Sequence, residues 1–282
     1  MIRNVLLPTD FSDNSWNAIM YAIHFFGNVD CHFYLLHVDR PYVLNTTPTV
    51  YGVSLDVLNA TYSMASKEQL KNLLHRIKTI TPNNKNHRFF TLAESGAFIE
   101  TIRTNVEEHK IDMIIMGTKG ANGLKKLLIG SNAGDVITKV KCTTLIVPEN
   151  ATYTPVTEIA FPTDYSLSYE VGHLQPIASI MERFQAALSI LHITKKSESL
   201  SLNQQKNKEL LEEFFSQQPI SFHQITNTKI EEAIEFFVEN REISMMAMVA
   251  KNLNYFQQIL FHSKIKNISY HTDIPFLVMH DT

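Results

Sequence analysis

The sequence predicts an α/β protein made of two doubly wound domains, each a five-stranded, mainly parallel sheet with helices on both faces. Three observations carry this reading. Short apolar runs alternate with segments whose apolar residues recur at i, i+3 and i+4, the pattern of strands alternating with helices. Runs such as Phe33-Tyr34-Leu35-Leu36 and Met113-Ile114-Ile115 are apolar at successive positions, as a parallel sheet covered on both faces requires. The third observation is an internal repeat. Val5-Leu6-Leu7-Pro8-Thr9-Asp10-Phe11-Ser12 returns as Ile159-Ala160-Phe161-Pro162-Thr163-Asp164-Tyr165-Ser166 at a shift of 154 residues, and residues 116–145 lie over 248–277 without a gap at a shift of 132. Duplication on that scale within 282 residues gives two similar domains, 1–150 and 151–282, joined where Pro148-Glu149-Asn150-Ala151-Thr152 breaks the pattern.

In the first half, strands are expected at residues 4–7, 32–38, 88–92, 112–116 and 143–147, each a short apolar run. Helices are expected at 15–26, 66–80, 98–108 and 132–140, where the apolar spacing is helical. The second half repeats the strands at 159–161, 188–193, 221–225, 245–249 and 276–279; of these, 221–225 has the faintest pattern. The fall in shift from 154 to 132 makes the second copy 22 residues shorter. The difference is expected in residues 40–65, an excursion containing Thr46-Thr47-Pro48 and Tyr51-Gly52.

A net charge of −3 and a pI near 6.5 argue against a nucleic-acid partner, since non-specific affinity for polyanions is built on clustered positive charge. No run approaches the ~20 apolar residues of a membrane span, and the apolar start is too short for a secretory signal. The cytoplasm is the expected compartment. Cys31 and Cys142 stand in apolar, strand-like settings and read as core residues, without a metal-binding spacing. His37, in His37-Val38-Asp39, reads as a core or orienting histidine.

The most specific motif is Gly117-Thr118-Lys119-Gly120 followed, after nine residues, by Gly130-Ser131. It stands behind an apolar strand and ahead of a helix. Glycine lets backbone approach an anion closely and adopt positive φ, and the free N–H groups of a helix start point at negative charge. In the second copy Lys119, Asn122, Leu128 and Ser131 recur as Lys251, Asn254, Leu260 and Ser263, whereas Gly117, Gly120 and Gly130 become Val249, Asn252 and His262. One half has kept a phosphate-binding loop and the other has lost it.

With the strand, this loop and the opening Pro8-Thr9-Asp10-Phe11-Ser12 together, the chain resembles the universal stress protein family, as a tandem member with a degenerate second domain. The resemblance implies an adenine nucleotide alpha hydrolase-like fold that holds ATP or AMP in its first half, with Mg compatible with ATP, and a role in stress response. It makes Asp10 a contact to the ribose and adenine side, the backbone of Val38 the adenine edge, and Gly117, Gly120, Gly130 and Ser131 the phosphate cradle. Pro8, Thr9, Met116, Lys119 and Asn132 complete the expected nucleotide-binding set. Independently of the family, ligands in open α/β sheets bind beyond the carboxyl ends of strands where strand order reverses. Asp10, Val38 and Gly117 are all expected just past a strand's end.

Plainer readings stand beside these. Asp10 and Ser12 suit capping of the helix beginning near Asn14, and Asp164 and Ser166 suit the same role in the second half. The loop lysines suit a solvated face. No G-x4-G-K-[ST], G-x-G-x-x-G or G-x-S-x-G motif occurs, and no positioned base or acid pair stands out. No catalytic residue is assigned, which favours a sensor, with an unidentified protein partner, over an efficient ATPase. A slow ATP hydrolase or nucleotidyl-transfer enzyme and a nucleotide-free interaction module are the alternatives. In the family, the final strands of two domains lie side by side. Thr143-Thr144-Leu145-Ile146-Val147 and Pro275-Phe276-Leu277-Val278-Met279 carry no central charge, so an exposed edge there would aggregate. The two halves of one chain are therefore expected to pair these edges as a pseudo-dimer, with Leu145, Val147, Leu277 and Met279 near the contact. A further homodimer is left open.

Overall fold

The computed structural model describes residues 2–40, 55–82, 84–118, 131–194, 199–227, 230–250 and 273–280. The first half runs β1 (Arg3–Pro8), α1 (Asp13–Phe26), β2 (Cys31–Asp39), α2 (Leu55–Ile80), β3 (His87–Ser95), α3 (Phe98–Glu108), β4 (Met113–Gly117), α4 (Ser131–Lys139) and β5 (Thr144–Val147). The second runs β6 (Glu158–Thr163), α5 (Val171–Phe184), β7 (Ala187–Thr194), α6 (Leu202–Phe214), β8 (Ile220–Thr226), α7 (Ile230–Glu239), β9 (Met245–Val249) and β10 (Phe276–Met279). One expectation needs correction. Part of the excursion after β2 is helix, because α2 begins at Leu55 rather than at Ser66. Leu55-Asp56-Val57-Leu58-Asn59-Ala60 holds neither proline nor glycine, so nothing stops the helix from extending backward. Since α2 has 26 residues and α6 has 13, helix length alone supplies more than half of the size difference between the copies.

Among the described residues, ten strands form one sheet in the order β3-β2-β1-β4-β5-β10-β9-β6-β7-β8. Pairing is parallel within each half and antiparallel between β5 and β10. The sequence repeat reappears in the registers. Val5 and Leu6 of β1 lie beside Met113 and Ile114, and Ile159 and Ala160 of β6 lie beside Met245 and Met246, each partner displaced by the same 154 and 132 residues as in the sequence. At the junction Leu145 faces Leu277, flanked by Ile146 with Phe276 and Thr144 with Val278. The expected pairing of final strands is present, and it buries what would otherwise be two open apolar edges.

Strand side chains alternate between faces, and each face carries one core that crosses the junction. Val5, Leu7, Phe33, Leu145, Leu277 and Phe161 pack beneath α1, α2, α5 and α6. Leu6, Ile114, Ile146, Val278, Ala160 and Leu191 pack beneath α3, α4 and α7. The link between the halves is held on α1: the Asn17 amide donates to the carbonyls of Pro148 at 3.2 Å and Ala151 at 3.0 Å. Tyr153 meets Tyr21 edge-on at 5.3 Å and stacks on His24 at 5.8 Å.

Arg183 of α5 ties the halves a second time. Its Nη2 donates to the carbonyls of Phe25 and Phe26 at 2.5 and 2.6 Å, at the end of α1 where a positive charge complements the helix dipole. The guanidinium also lies 4.8 Å from the Phe184 ring centre. Because the side chain is solvent-exposed, screening reduces what these charge-assisted bonds contribute. Arg183→Ala is expected to cost about 1–2 kcal/mol, read as a lower urea midpoint, with Arg183→Lys in between. An unchanged midpoint would show the contact to be idle.

A second expected outcome concerns pH. His87, 8% exposed at the start of β3, lies with its Nδ1 2.9 Å from the Asn84 amide nitrogen. Burial above all holds its pKa below the ordinary histidine value, opposed by a hydrogen bond involving Gly27 and reinforced by the Arg183 charge. The folded state therefore binds fewer protons than the unfolded chain, whose histidines titrate near ~6.5. Stability rises with pH through that window and is lost as pH falls below it. Urea midpoints should drop from pH 7.5 to pH 5, and His87→Phe should flatten that slope.

Candidate functional site

Strand order reverses between β1 and β4: from β1 the chain winds through β2 to β3, and from β4 it winds the other way to β5. The carboxyl ends of these two neighbours, Pro8 and Gly117, flank the crevice where this fold takes ligands.

The turn after β1 is tightly built. Thr9 N–H donates to Leu36 O at 2.8 Å, and Thr9 Oγ1 accepts from the Phe11 N–H at 3.0 Å. Phe11 takes φ of 63°. Asp10 Oδ1 accepts from the Ser12 N–H at 3.1 Å and the Ser12 hydroxyl at 2.5 Å. Ser12 in turn caps α1, accepting from Ser15 N–H at 3.2 Å. His37 Nδ1 donates to Thr9 O at 2.7 Å, and its ring lies 4.5 Å from that of Phe11. Its Nε2 is 3.3 Å from Asp39 Oδ1, which also accepts from Ser66 Oγ at 2.7 Å. His37 is thus an orienting histidine that fixes the turn, as the sequence indicated.

The second half builds the same turn. Thr163 Oγ1 accepts from Tyr165 N–H at 2.9 Å, Tyr165 has φ of 56°, and Asp164 Oδ1 accepts from Ser166 N–H and hydroxyl at 2.9 and 2.7 Å. His192 Nδ1 donates to Thr163 O at 3.0 Å, with its ring 4.8 Å from Tyr165. The turn is therefore a structural device common to both halves. The capping expected of Asp164 and Ser166 is corrected, however: α5 begins only at Val171, after Glu170, whose N–H donates to His173 Nδ1 at 3.0 Å.

Val38 and Gly117 lie within the last two residues of their strands rather than beyond them, whereas Asp10 stands two residues past β1. The β1–β2 ladder ends at Pro8 and Leu36. Leu36 O bonds toward β1 and Asp39 O bonds to Gly96 N–H on the β3 side. Since backbone groups alternate sides along a strand, the N–H and C=O of Val38 are directed into the crevice beyond the end of β1.

Gly117 is required for a reason the sequence did not supply. A positive φ was expected there, but among the described residues the glycines with positive φ are Gly27 and Gly96. What demands glycine is contact: a Cβ at Gly117 would lie 2.7 Å from Asn14 Oδ1 and 2.8 Å from Asn14 Cγ. Asn14, 8% exposed, is the site residue that sequence reasoning missed. Its place in the polar run Ser12-Asp13-Asn14-Ser15 resembles an ordinary helix start, and only the packing of α1 on β4 brings it to the loop. At the corresponding positions of the sequence repeat the second half has Ser168 and Val249, a smaller residue and a larger one.

Pro8, Thr9 and Met116 are buried at the base of the crevice, Met116 within the core under α3 and α4. Ser131 opens α4 and Asn132 follows it, exposed. Lys119, Gly120 and Gly130 lie outside the described residues. No group of three or more His, Cys, Asp or Glu side chains among the described residues could hold a metal. No helix among them is long and apolar enough to cross a membrane.

The fold defines a tandem doubly wound α/β protein whose first half reverses strand order between β1 and β4. The sequence profile of the universal stress protein family matches residues 1–148, and the chain belongs to that family. It is 29% identical over 147 residues to a universal stress protein of Methanocaldococcus jannaschii, covering 52% of this chain and 82% of that protein. It is 29% identical over 150 residues to the universal stress protein YxiE of Bacillus subtilis, covering 52% and 99%. Over its whole length it shares the fold of a universal stress protein from Archaeoglobus fulgidus, with a TM-score of 0.69, 17% identity and 98% of each chain covered. A putative universal stress protein from Pseudomonas aeruginosa gives a TM-score of 0.57 at 13% identity, covering 99% of this chain and 93% of that one.

Proposed function

We propose that the first half binds one adenine nucleotide, ATP or AMP, and that the chain is a cytoplasmic stress-response regulator whose occupancy changes what it associates with. The observation that carries this reading is the difference between the two switch points. The first ends β4 in Gly117, with the Asn14 amide seated where a Cβ would be, while the second ends β9 in Val249. The Val38 N–H and C=O match the acceptor nitrogen and amine donor on the edge of adenine. Asp10 is read as the acceptor for ribose hydroxyls, which donate to a carboxylate. The backbone from Gly117 onward, with Gly120, Gly130, Ser131 and the start of α4, holds phosphate oxygens. Magnesium enters as the counterion of ATP.

The second half is read as nucleotide-free. There Gln204 and Asn207 of α6 donate to the carbonyls of Asp164 at 2.8 Å and Tyr165 at 2.7 Å, fastening the loop after β6 to the neighbouring helix. The first half is read as a sensor because Asp10 and His37, the basic groups described beside the crevice, are bonded to Ser12 and Thr9 of the turn; binding alone does not lower a chemical barrier. The test is to quantify the nucleotide released on denaturing the purified chain and to titrate the emptied protein by calorimetry. One adenine nucleotide per chain is expected. Two per chain would overturn the reading of the second half, and none, with no heat on titration, would leave an interaction module.

A further inference from the structure

The second half carries a polar cluster at the end of the sheet opposite the crevice. Glu158 opens β6, Ser189 lies near the start of β7, Ser221 and His223 lie on β8, and Arg241 follows α7. Ser189 Oγ donates to Glu158 Oε1, which also accepts from Arg241 Nε at 3.0 Å. Ser221 Oγ is 2.7 Å from His223 Nε2 and 3.1 Å from Ser189 Oγ. At the corresponding positions the first half has Asn4, Tyr34, Phe90, Leu92 and His109. There Tyr34 stacks on Phe90 at 5.1 Å and on His109 at 4.5 Å. The same registers form without the serines and the histidine, so the fold does not demand them.

Hydrogen counting fixes one end of the cluster, and the His223 tautomer sets the other. Ser189 has one hydroxyl hydrogen and commits it to the Glu158 carboxylate, so toward Ser221 its oxygen only accepts. In the tautomer of His223 that carries its hydrogen on Nδ1, the Ser221 hydrogen goes to Nε2 at 2.7 Å, the nearer and more basic acceptor, rather than to Ser189 Oγ at 3.1 Å. Burial foremost, then the Arg241 charge, holds His223 below the ordinary histidine value, with Glu158 opposing. The imidazole is therefore neutral at pH 7 and able to take a proton. Both Ser221 and His223 are partly exposed, and β8 is the last strand of the sheet. Pro219 O and Asn227 N–H bond toward β7, so the alternation along β8 directs the N–H of Phe222, next to Ser221, away from β7.

We propose that Ser221 is a nucleophile, with His223 as its general base and the Phe222 N–H as oxyanion donor, that accepts the acyl group of small activated esters. Ser221 Oγ bonds to the ester carbonyl carbon as its proton passes to His223 Nε2, and the carbonyl electron pair moves to oxygen, facing the Phe222 N–H. Collapse breaks the bond to the leaving alkoxide, which takes the proton from His223. Water then cleaves the acyl-serine by the same route, giving a carboxylic acid and restoring Ser221. This site stands independently of the nucleotide reading.

The test uses the full chain with a fluorophosphonate probe, and p-nitrophenyl acetate as the ester. One adduct on Ser221 is expected by peptide mass mapping, absent in Ser221→Ala. His223→Gln should slow labelling by ~100-fold, with nucleotide content unchanged. The wild-type labelling rate should fall as pH is lowered and His223 becomes protonated, a readout that holds even if His223→Gln folds poorly. No adduct on Ser221 in the native protein, a rate unchanged in His223→Gln, or a flat pH profile would overturn the proposal.

Discussion

Gly117→Val is expected to weaken ATP binding by ~100-fold or more, close to 2.7 kcal/mol, and to lower stability as well. The two losses have one origin. A Cβ at this position would fall 2.7–2.9 Å from three atoms of the Asn14 amide, so that buried side chain must give way or α1 and the end of β4 must part, at a cost of about 1–3 kcal/mol for such overpacking. On the nucleotide reading proposed above, the same displacement shifts the Gly117 backbone that phosphate would approach. The sequence repeat offers a way to separate these effects, because it pairs Ser168 with Asn14 and Val249 with Gly117. Asn14→Ser with Gly117→Val should recover most of the melting temperature, since the smaller serine makes room for the new side chain. Nucleotide affinity should stay lost. Calorimetric titration of the single and double variants with ATP decides the matter. Wild-type affinity in the folded double variant would remove Gly117 from the site.

That experiment rests on a contact the sequence did not reveal, and the reason is general. The apolar runs and the repeat were legible, because strand period and burial act through neighbours along the chain, and the registers then carry that repeat into the sheet. Val5 beside Met113 and Ile159 beside Met245 reproduce the repeat without adjustment. The junction was legible too, since an uncharged final strand must be covered. Asn14 over Gly117 was not, because the two are adjacent only after α1 packs on β4. The cluster of Ser189, Ser221 and His223 escaped for the same reason, being spread over two strands, with Ser189 and Ser221 32 positions apart. The helical start of α2 was hidden by the Thr46-Thr47-Pro48 and Tyr51-Gly52 signals, which were extended past their local reach.

The pairing of β5 with β10 carries the other large expected effect. Leu145 and Leu277 face one another at the centre of the junction, both fully buried, and both belong to the core that also contains Ala18 and Ile19 of α1. The single tryptophan, Trp16, packs against that core from α1 in the first half, with the Arg76 guanidinium 3.7 Å from its ring centre. It therefore reports on the first half alone. Leu277→Ala removes a side chain of the second half and leaves a cavity, a change that costs about 2–5 kcal/mol in well-packed cores. Because the core is continuous across the sheet, the urea midpoint read by Trp16 fluorescence should fall together with that read by far-ultraviolet circular dichroism, in one transition. If the Trp16 midpoint held while circular dichroism showed a separate, earlier loss of structure, the halves would fold independently and the junction would not couple them. A coincident shift means that any strain a ligand places on α1 and β4 is felt by the second half through the same shared core.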